Sequence, residues 1–305
     1  FYPVPDPDTA TDLPLGGELE GLHQTNPASI QRLSEADGIQ NVLNDDGEES
    51  FVMLNTSVPP FDDVRAREAL AWATPRVQID QLIALGVQRM ATQRFVPESP
   101  YYNPALEQVG DDPAQAAQLA AEYCAERGDD VNPVLGVPTC ADGKINIEYQ
   151  HAGPSVVATR LSDLNRSGWS SAFNVTVKEV FQDDLIQNAA LGAYNSNQWR
   201  QFGAPDPAGD NIWLLCRTID AISLNWPRYC DEERDALLIQ AQAEPDPAAR
   251  AALYQQVEQM INDAHTYVFL HHTLWNNAYS PAVRGVCGRT SPEGVELICT
   301  VNGQS

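Results

Sequence analysis

K-I-N-I-E-Y-Q, from Lys144 to Gln150, alternates apolar and polar residues, and F-N-V-T-V-K-E-V, from Phe173 to Val180, does so again. Period-two alternation predicts half-buried strands, because successive strand side chains point to opposite faces. His151 to Ser155 reads as a turn after the first strand. Val156 to Asn165 then has helical spacing, and Asp183 to Ala193 has it after the second strand. This strand–helix–strand–helix order predicts parallel strands joined by a right-handed crossover. It places the chain in the α/β class.

Working outward toward the N-terminus, Asp112-Pro113 opens a helix carrying Ala117, Leu119, Ala120 and Cys124, which stops at Gly128. Proline suits a first helical position because its missing N–H would have no partner there. Asp62 and Asp63 are read as caps for a helix from Val64 to Trp72. Pro75 begins another, with Val77, Ile79, Leu82, Ile83 and Leu85 as its apolar residues. Phe51 to Leu54 is a short buried strand after the turn cluster Asn44 to Gly47, and Asn26-Pro27 starts a helix on which Ile30 and Leu33 share a face. Toward the C-terminus, Trp199 to Trp226 reads as a long aromatic-rich loop. Helices follow at 231–242 and 246–264, the second entered through Asp246-Pro247. Tyr267 to Leu270 is a closing strand, and the tail after Pro281 is read as irregular.

The formal net charge is −24, and all cations except Lys144 and Lys178 are arginines. Nucleic acid is thereby excluded as a partner, since binding it requires cations to neutralise phosphates. An anionic membrane surface is disfavoured for the same reason. No apolar run reaches the length of a membrane span. The chain opens on Phe1-Tyr2-Pro3-Val4-Pro5-Asp6-Pro7-Asp8, without an initiator methionine or a basic leader. Six cysteines form three sequence-local pairs, Cys124/Cys140, Cys216/Cys230 and Cys287/Cys299, although six cysteines allow 15 connectivities. None forms C-x-x-C, so zinc or thioredoxin-like chemistry is not indicated, and three local disulfides in an oxidising compartment are expected. A loop of this size contributes roughly 3 kcal/mol in the chain-entropy description.

Catalytic signatures such as G-x-S-x-G, H-E-x-x-H, the P-loop and G-x-G-x-x-G do not occur. No cofactor is expected. His271-His272 adjoins a strand, so alternation sends the two rings to opposite faces, and His23, His151 and His265 are dispersed. No metal site is therefore expected.

Phe51-Val52-Met53-Leu54-Asn55-Thr56, followed by Pro59-Pro60-Phe61-Asp62-Asp63-Val64-Arg65-Ala66-Arg67-Glu68-Ala69-Leu70, resembles the strand, N-T-x-x-P-P-F-x-D and V-R-x-A-L segments of the bacterial solute-binding proteins of family 5. The Asp112-Pro113 helix, the Trp199–Pro207 segment, the Asp246-Pro247 helix, the Tyr267 strand and Val283-Arg284-Gly285-Val286 follow in the same order. The resemblance implies a periplasmic-binding-protein-like fold of type II, with two lobes and a mixed sheet flanked by helices. It implies partial lobe I at 1–50, lobe II at 51–266, and a return to lobe I with the tail at 267–305. It also implies a further lobe-I segment ahead of Phe1. Cys216/Cys230 stands where dipeptide-type members carry a disulfide. Thr74-Pro75-Arg76 departs from an uninterrupted A-I-D-R helix, so a break is expected there.

What the resemblance implies functionally is a receptor that closes two lobes on a peptide or other small solute and presents it to the permease subunits of an ABC transporter. Such a receptor would be a monomer, periplasmic or extracellular, held at the membrane through the transporter or a lipid anchor outside this sequence. It needs no catalytic residue. The expected ligand-binding residues are Trp199, Arg200, Gln201, Phe202 and Asp206, with Asn225 and Trp226. Gly203 stands near where some peptide-binding members carry an aspartate for the α-ammonium, whereas Trp199-Arg200-Gln201 suits an anionic or stacked ligand. Two other readings remain at this point: a hydrolase using paired carboxylates, and the ligand-sensing lobe of a transcriptional regulator.

Overall fold

A computed structural model describes residues 2–45, 48–204 and 206–284. Helix α1 (Pro7–Leu15), strand β1 (Gly21–Gln24), helix α2 (Pro27–Glu35) and strands β2 (Gln40–Asn44) and β3 (Glu49–Leu54) come first. Helix α3 (Val64–Ala73) and the short α4 (Arg76–Ile79) lead into a π-helical turn at Asp80–Ala84. Helix α5 (Pro113–Arg127) precedes the two-residue strands β4 (Val131–Asn132), β5 (Val137–Pro138) and β6 (Cys140–Ala141). Then come β7 (Lys144–Ala152), α6 (Val156–Trp169), β8 (Phe173–Val180), α7 (Gln182–Leu191) and β9 (Ser196–Gln201). A 3-10 stretch at Pro207–Trp213, helices α8 (Glu232–Ala243) and α9 (Pro247–Ala264), and strands β10 (Tyr267–His272) and β11 (Trp275–Tyr279) complete the described chain.

Helix starts follow one chemical rule. Asp6, Asn26, Asp112 and Asp246 each place a side-chain oxygen on backbone N–H groups of the first turn, with proline immediately after the cap. That arrangement satisfies donors the helix itself cannot. Asp63 caps α3 in the same way, while Asp62 pairs with Arg127 instead.

The large sheet has the order β10-β3-β9-β7, with β6 beside the start of β7 and β8 on its other side. β7 and β8 are parallel over Ile145–Ala152, as the crossover predicts. β7 is not half-buried, however: from Ile147 to His151 every residue is buried, because β9 and two helical layers cover it. The segment Trp199–Gln201, expected as loop, belongs to the interior strand β9, which pairs antiparallel with β3 and parallel with β7. A second sheet, β1-β11-β2, joins the N-terminal segment to residues 275–279. Tyr267–His272 therefore lies in the large sheet, and the passage to the small sheet comes at Thr273 and Leu274 rather than at 267.

Two cores lie on opposite faces of the large sheet. Val52, Leu54, Ile147, Tyr149 and Leu270 pack with α3, α5 and α6 on one. Phe51, Met53, Trp199 and Phe269 pack with α7, α8 and α9 on the other. The helix break is present: Thr74 is extended between α3 and α4. Gly168 of α6 lies against it, and a Cβ there would stand 2.6 Å from Pro75 Cδ and 3.0 Å from Ala73 O. Of the five apolar residues assigned beyond Pro75, Ile79 and Ile83 are buried, whereas Val77, Leu82 and Leu85 are exposed. The short helix and its π turn present one face, spaced by four residues, to the core.

Buried arginines tie loops to this frame. Arg67 donates to Ala264 O at 2.7 Å and Phe61 O at 2.8 Å, Arg76 donates to the carbonyls of Phe269 and Ala91, and Arg234 to those of Leu214 and Tyr229. A guanidinium with five donors can satisfy several carbonyls at once, which an ammonium does less well. Cys124–Cys140 and Cys216–Cys230 are disulfides. Cys287 and Cys299 lie outside the described residues, as does most of the tail.

Candidate functional site

A cleft of about 580 Å³ separates the small-sheet unit from the large one. Small-molecule sites span roughly 300–1,000 Å³. One wall is the small unit: Pro7 of α1, Gln24 of β1, and Thr25, Asn26 and Pro27 at the start of α2. Facing it are the C-terminal end of β7, the turn Gly153–Ser155 and the first residues of α6 and α7. Carboxyl ends of parallel strands are where open α/β sheets bind ligands, since the following turn and helix N-terminus leave a crevice there.

The floor comes from β3, β9 and β10. Ser50 pairs with Arg200, Val52 with Gln198 and His271 with Ser50, so Ser50, Gln198, Arg200 and His271 share one face. A β-bulge between Phe269 and His271 makes this possible. Unbroken alternation would set His271 opposite Glu49, on the other face; the extra residue re-aims it. His272 takes that place instead, with Nδ1 3.2 Å from Glu49 Oε1. The two rings do take opposite faces, and both are buried.

Of the residues expected to bind ligand, Trp199 and Arg200 line the cleft. Arg200 pairs with Glu48 at 3.2 Å. Trp199 only borders the cleft, because its ring belongs to the opposite face, edge-on to Trp226 at 4.5 Å. The other five lie elsewhere. Gln201 ends β9 beyond the cleft. Phe202, at φ 75°, turns the chain away and packs its ring near Phe51 and Tyr267. Asp206 caps the 3-10 stretch and pairs with Arg250. Asn225 is buried, bonding the carbonyls of Leu214 and Tyr229, and Trp226 packs with Trp199 and Trp213.

The sequence reading missed Gln24, Gln88, Gln198, His271 and Thr273. Uncharged polar residues carry no periodic signal, and the bulge that aims His271 is invisible without the pairing. Electrostatically the cleft is balanced. Burial pushes the Glu48 carboxyl up, opposed by Arg200. Burial first, then Arg200 and His272, push His271 down from 6.5 to about 3.

That depression has a measurable consequence. The unfolded chain protonates His271 near its ordinary 6.5, while the native chain does so only near 3. Between those values the unfolded state holds more protons. Its contribution to stability is thus complete above pH 6.5 and declines on acidification, by at most about 1.4 kcal/mol per pH unit. His271→Gln should show a shallower fall in urea midpoint from about pH 7 to about pH 5 than the native sequence does. Identical slopes would mean His271 is not buried neutral.

Residues 1–214 match the sequence model of "Bacterial extracellular solute-binding proteins, family 5 Middle". A Pseudomonas aeruginosa protein named "Probable di/tripeptide-binding protein 5" is 26% identical over 227 residues, covering 73% of this chain and 40% of that protein. Heme-binding protein A of Haemophilus influenzae is 22% identical over 286 residues, covering 92% of this chain and 50% of the relative. Among solved structures, the periplasmic binding protein DppA of Helicobacter pylori in complex with the peptide STSA aligns with a TM-score of 0.77 at 17% identity, over 93% of this chain and 52% of its own. The chain spans about half the length of the curated relatives it matches.

Proposed function

Because this chain belongs to the bacterial extracellular solute-binding proteins of family 5, we propose that it is part of a receptor that captures a peptide or similar small solute outside the cytoplasm and delivers it to an ABC importer. The observation that carries this reading is the cleft between the two sheet-based units, lined from both sides. The small sheet with α1 and α2 then represents one lobe, and the large sheet with its helices the other. The chain passes between them twice, from β2 to β3 and from β10 to β11, and Glu48 and Thr273 beside these passages line the cleft. Paired crossings of that kind suit hinge closure. Solute would favour the closed form by its greater affinity for it, and the permease subunits would recognise that form.

Family members are binding proteins, and no bond need be broken here. Among the described residues Glu48 is the one carboxylate that lines the cleft, so a paired-carboxylate hydrolysis lacks its second acid. The receptor acts as a monomer, periplasmic or extracellular, reached through the transporter or a lipid anchor. No described helix is long and apolar enough to cross a membrane.

Small-angle scattering and thermal melting, with and without members of a solute library, test this. A binding solute should raise the melting temperature by several degrees and reduce the radius of gyration, and should be recovered unchanged. Chemical conversion of the solute, or stabilisation with no change of shape, would contradict the reading.

A further inference from the structure

We infer that the solute met by this cleft is uncharged and rich in hydroxyl groups, a carbohydrate-like molecule rather than a free peptide. This rests on the receptor reading above and names its solute class.

The charges come first. Arg200 and Glu48 are the ionised side chains lining the cleft among the described residues, and they pair with each other at 3.2 Å. A free peptide carries an ammonium and a carboxylate separated by its own length. To hold both ends, the cleft would have to pull its pair apart and re-form two others. An ionised group taken from water without a dedicated partner is strongly disfavoured. His271 supplies no charge, being buried and neutral.

Next come the hydrogen-bonding groups left without partners. Besides Glu48 Oε1, whose partner is Arg200 through the ion pair, Gln88 Oε1, Gln198 Oε1, His271 Nδ1 and Thr273 Oγ1 have no hydrogen-bond partner in the protein. Gln88, His271 and Thr273 are only 5%, 7% and 1% exposed. Buried polar groups normally find a partner, so four on one cleft mark where a ligand's groups belong. The groups the cleft offers are mixed in sense. Gln88 spends its nitrogen on Thr25 O at 3.4 Å, which fixes its oxygen as an acceptor. Gln24 spends its oxygen on the N–H groups of Thr25 and Asn26, both at 2.9 Å, which leaves its NH₂ to donate. A hydroxyl donates one hydrogen bond and accepts two, so it serves both kinds of group, whereas an ammonium only donates and a carboxylate only accepts.

Titration calorimetry of the full 305-residue chain tests this, with cellobiose and maltotriose as neutral probes and dialanine and trialanine as charged ones. The expected result is binding of a saccharide that is insensitive to salt between about 0.05 and 0.5 M, since no ion pair is screened. Gln198→Leu, and independently the half-buried Gln24→Leu, should each weaken it at least about tenfold, the loss of one good hydrogen bond. Circular dichroism would verify folding of each variant. Saccharide binding untouched by both variants would overturn the site. Peptide binding that weakens with salt and is lost in Glu48→Gln would overturn the inference and leave the receptor standing. Silence from all four probes, while another member of the solute library still raises the melting temperature, would overturn the inference and leave the receptor standing.

Discussion

Arg94→Met should cost about 3–5 kcal/mol of folding stability, a large share of the roughly 5–15 kcal/mol available to a protein. Arg94 and Glu258 form an ion pair at 2.6 Å with side chains 1% and 0% exposed. Arg94 Nε donates to Glu258 Oε1 at 2.8 Å, and its backbone N–H donates to the other oxygen at 3.0 Å. The guanidinium also lies over Phe95 and Phe202 at 5.1 and 5.4 Å. Removing it leaves an ionised carboxylate in the interior with only one backbone donor. Asp210 would suffer as well: burial pushes its carboxyl up and Arg94 pulls it back down. The loss should therefore shrink as the pH is lowered and Asp210 takes up a proton. Arg94→Met combined with Glu258→Leu should recover much of the loss, because no buried charge then lacks a partner. Urea denaturation of the two variants beside the parent decides it. A single variant within about 1 kcal/mol of the parent would show that water reaches the pair.

Trp169→Ala should be nearly as damaging, about 3–5 kcal/mol. The indole is fully buried at the end of α6 and meets Tyr149 edge-on at 4.9 Å. Its Nε1 donates to Thr74 Oγ1 at 3.0 Å, and that hydroxyl donates to Leu70 O at 2.8 Å. One side chain thus fills the core and fastens the break between α3 and α4. Trp169→Phe would keep most of the volume and lose the donor, so about 1–2 kcal/mol is expected. Equal losses in the two variants would mean the hydrogen bond, not the packing, dominates.

Much of this architecture could be read from residues. Strands β7 and β8 declare themselves by alternation, and proline-led helices by their caps, because those signals are local. β9 does not, for a physical reason. S-N-Q-W-R-Q has no apolar alternation, yet Ser196 and Asn197 are buried. The strand around them is sustained by neighbours: Ser196 Oγ donates to Glu148 O at 2.8 Å, and the preceding Asn195 exchanges hydrogen bonds with Asn132. Tertiary context supplies what composition conceals. Strands β1, β2 and β11 are short and partly exposed, so they too lack a pattern. At the cleft, Arg200 was visible as an unusual cation, whereas Gln88, Gln198 and Thr273 are ordinary residues until folding leaves their polar atoms unmatched.

The irregularity in β10 makes the pairing register there as consequential as the identity of its residues. With one residue of slack, the imidazole at 271 lines the cleft and the one at 272 sits with Glu49. Unbroken pairing through Leu270 would instead set His271 opposite Glu49, turned from the cleft, without altering any side chain in the neighbourhood. Register, usually a matter of strand stability, here decides which groups face the cleft.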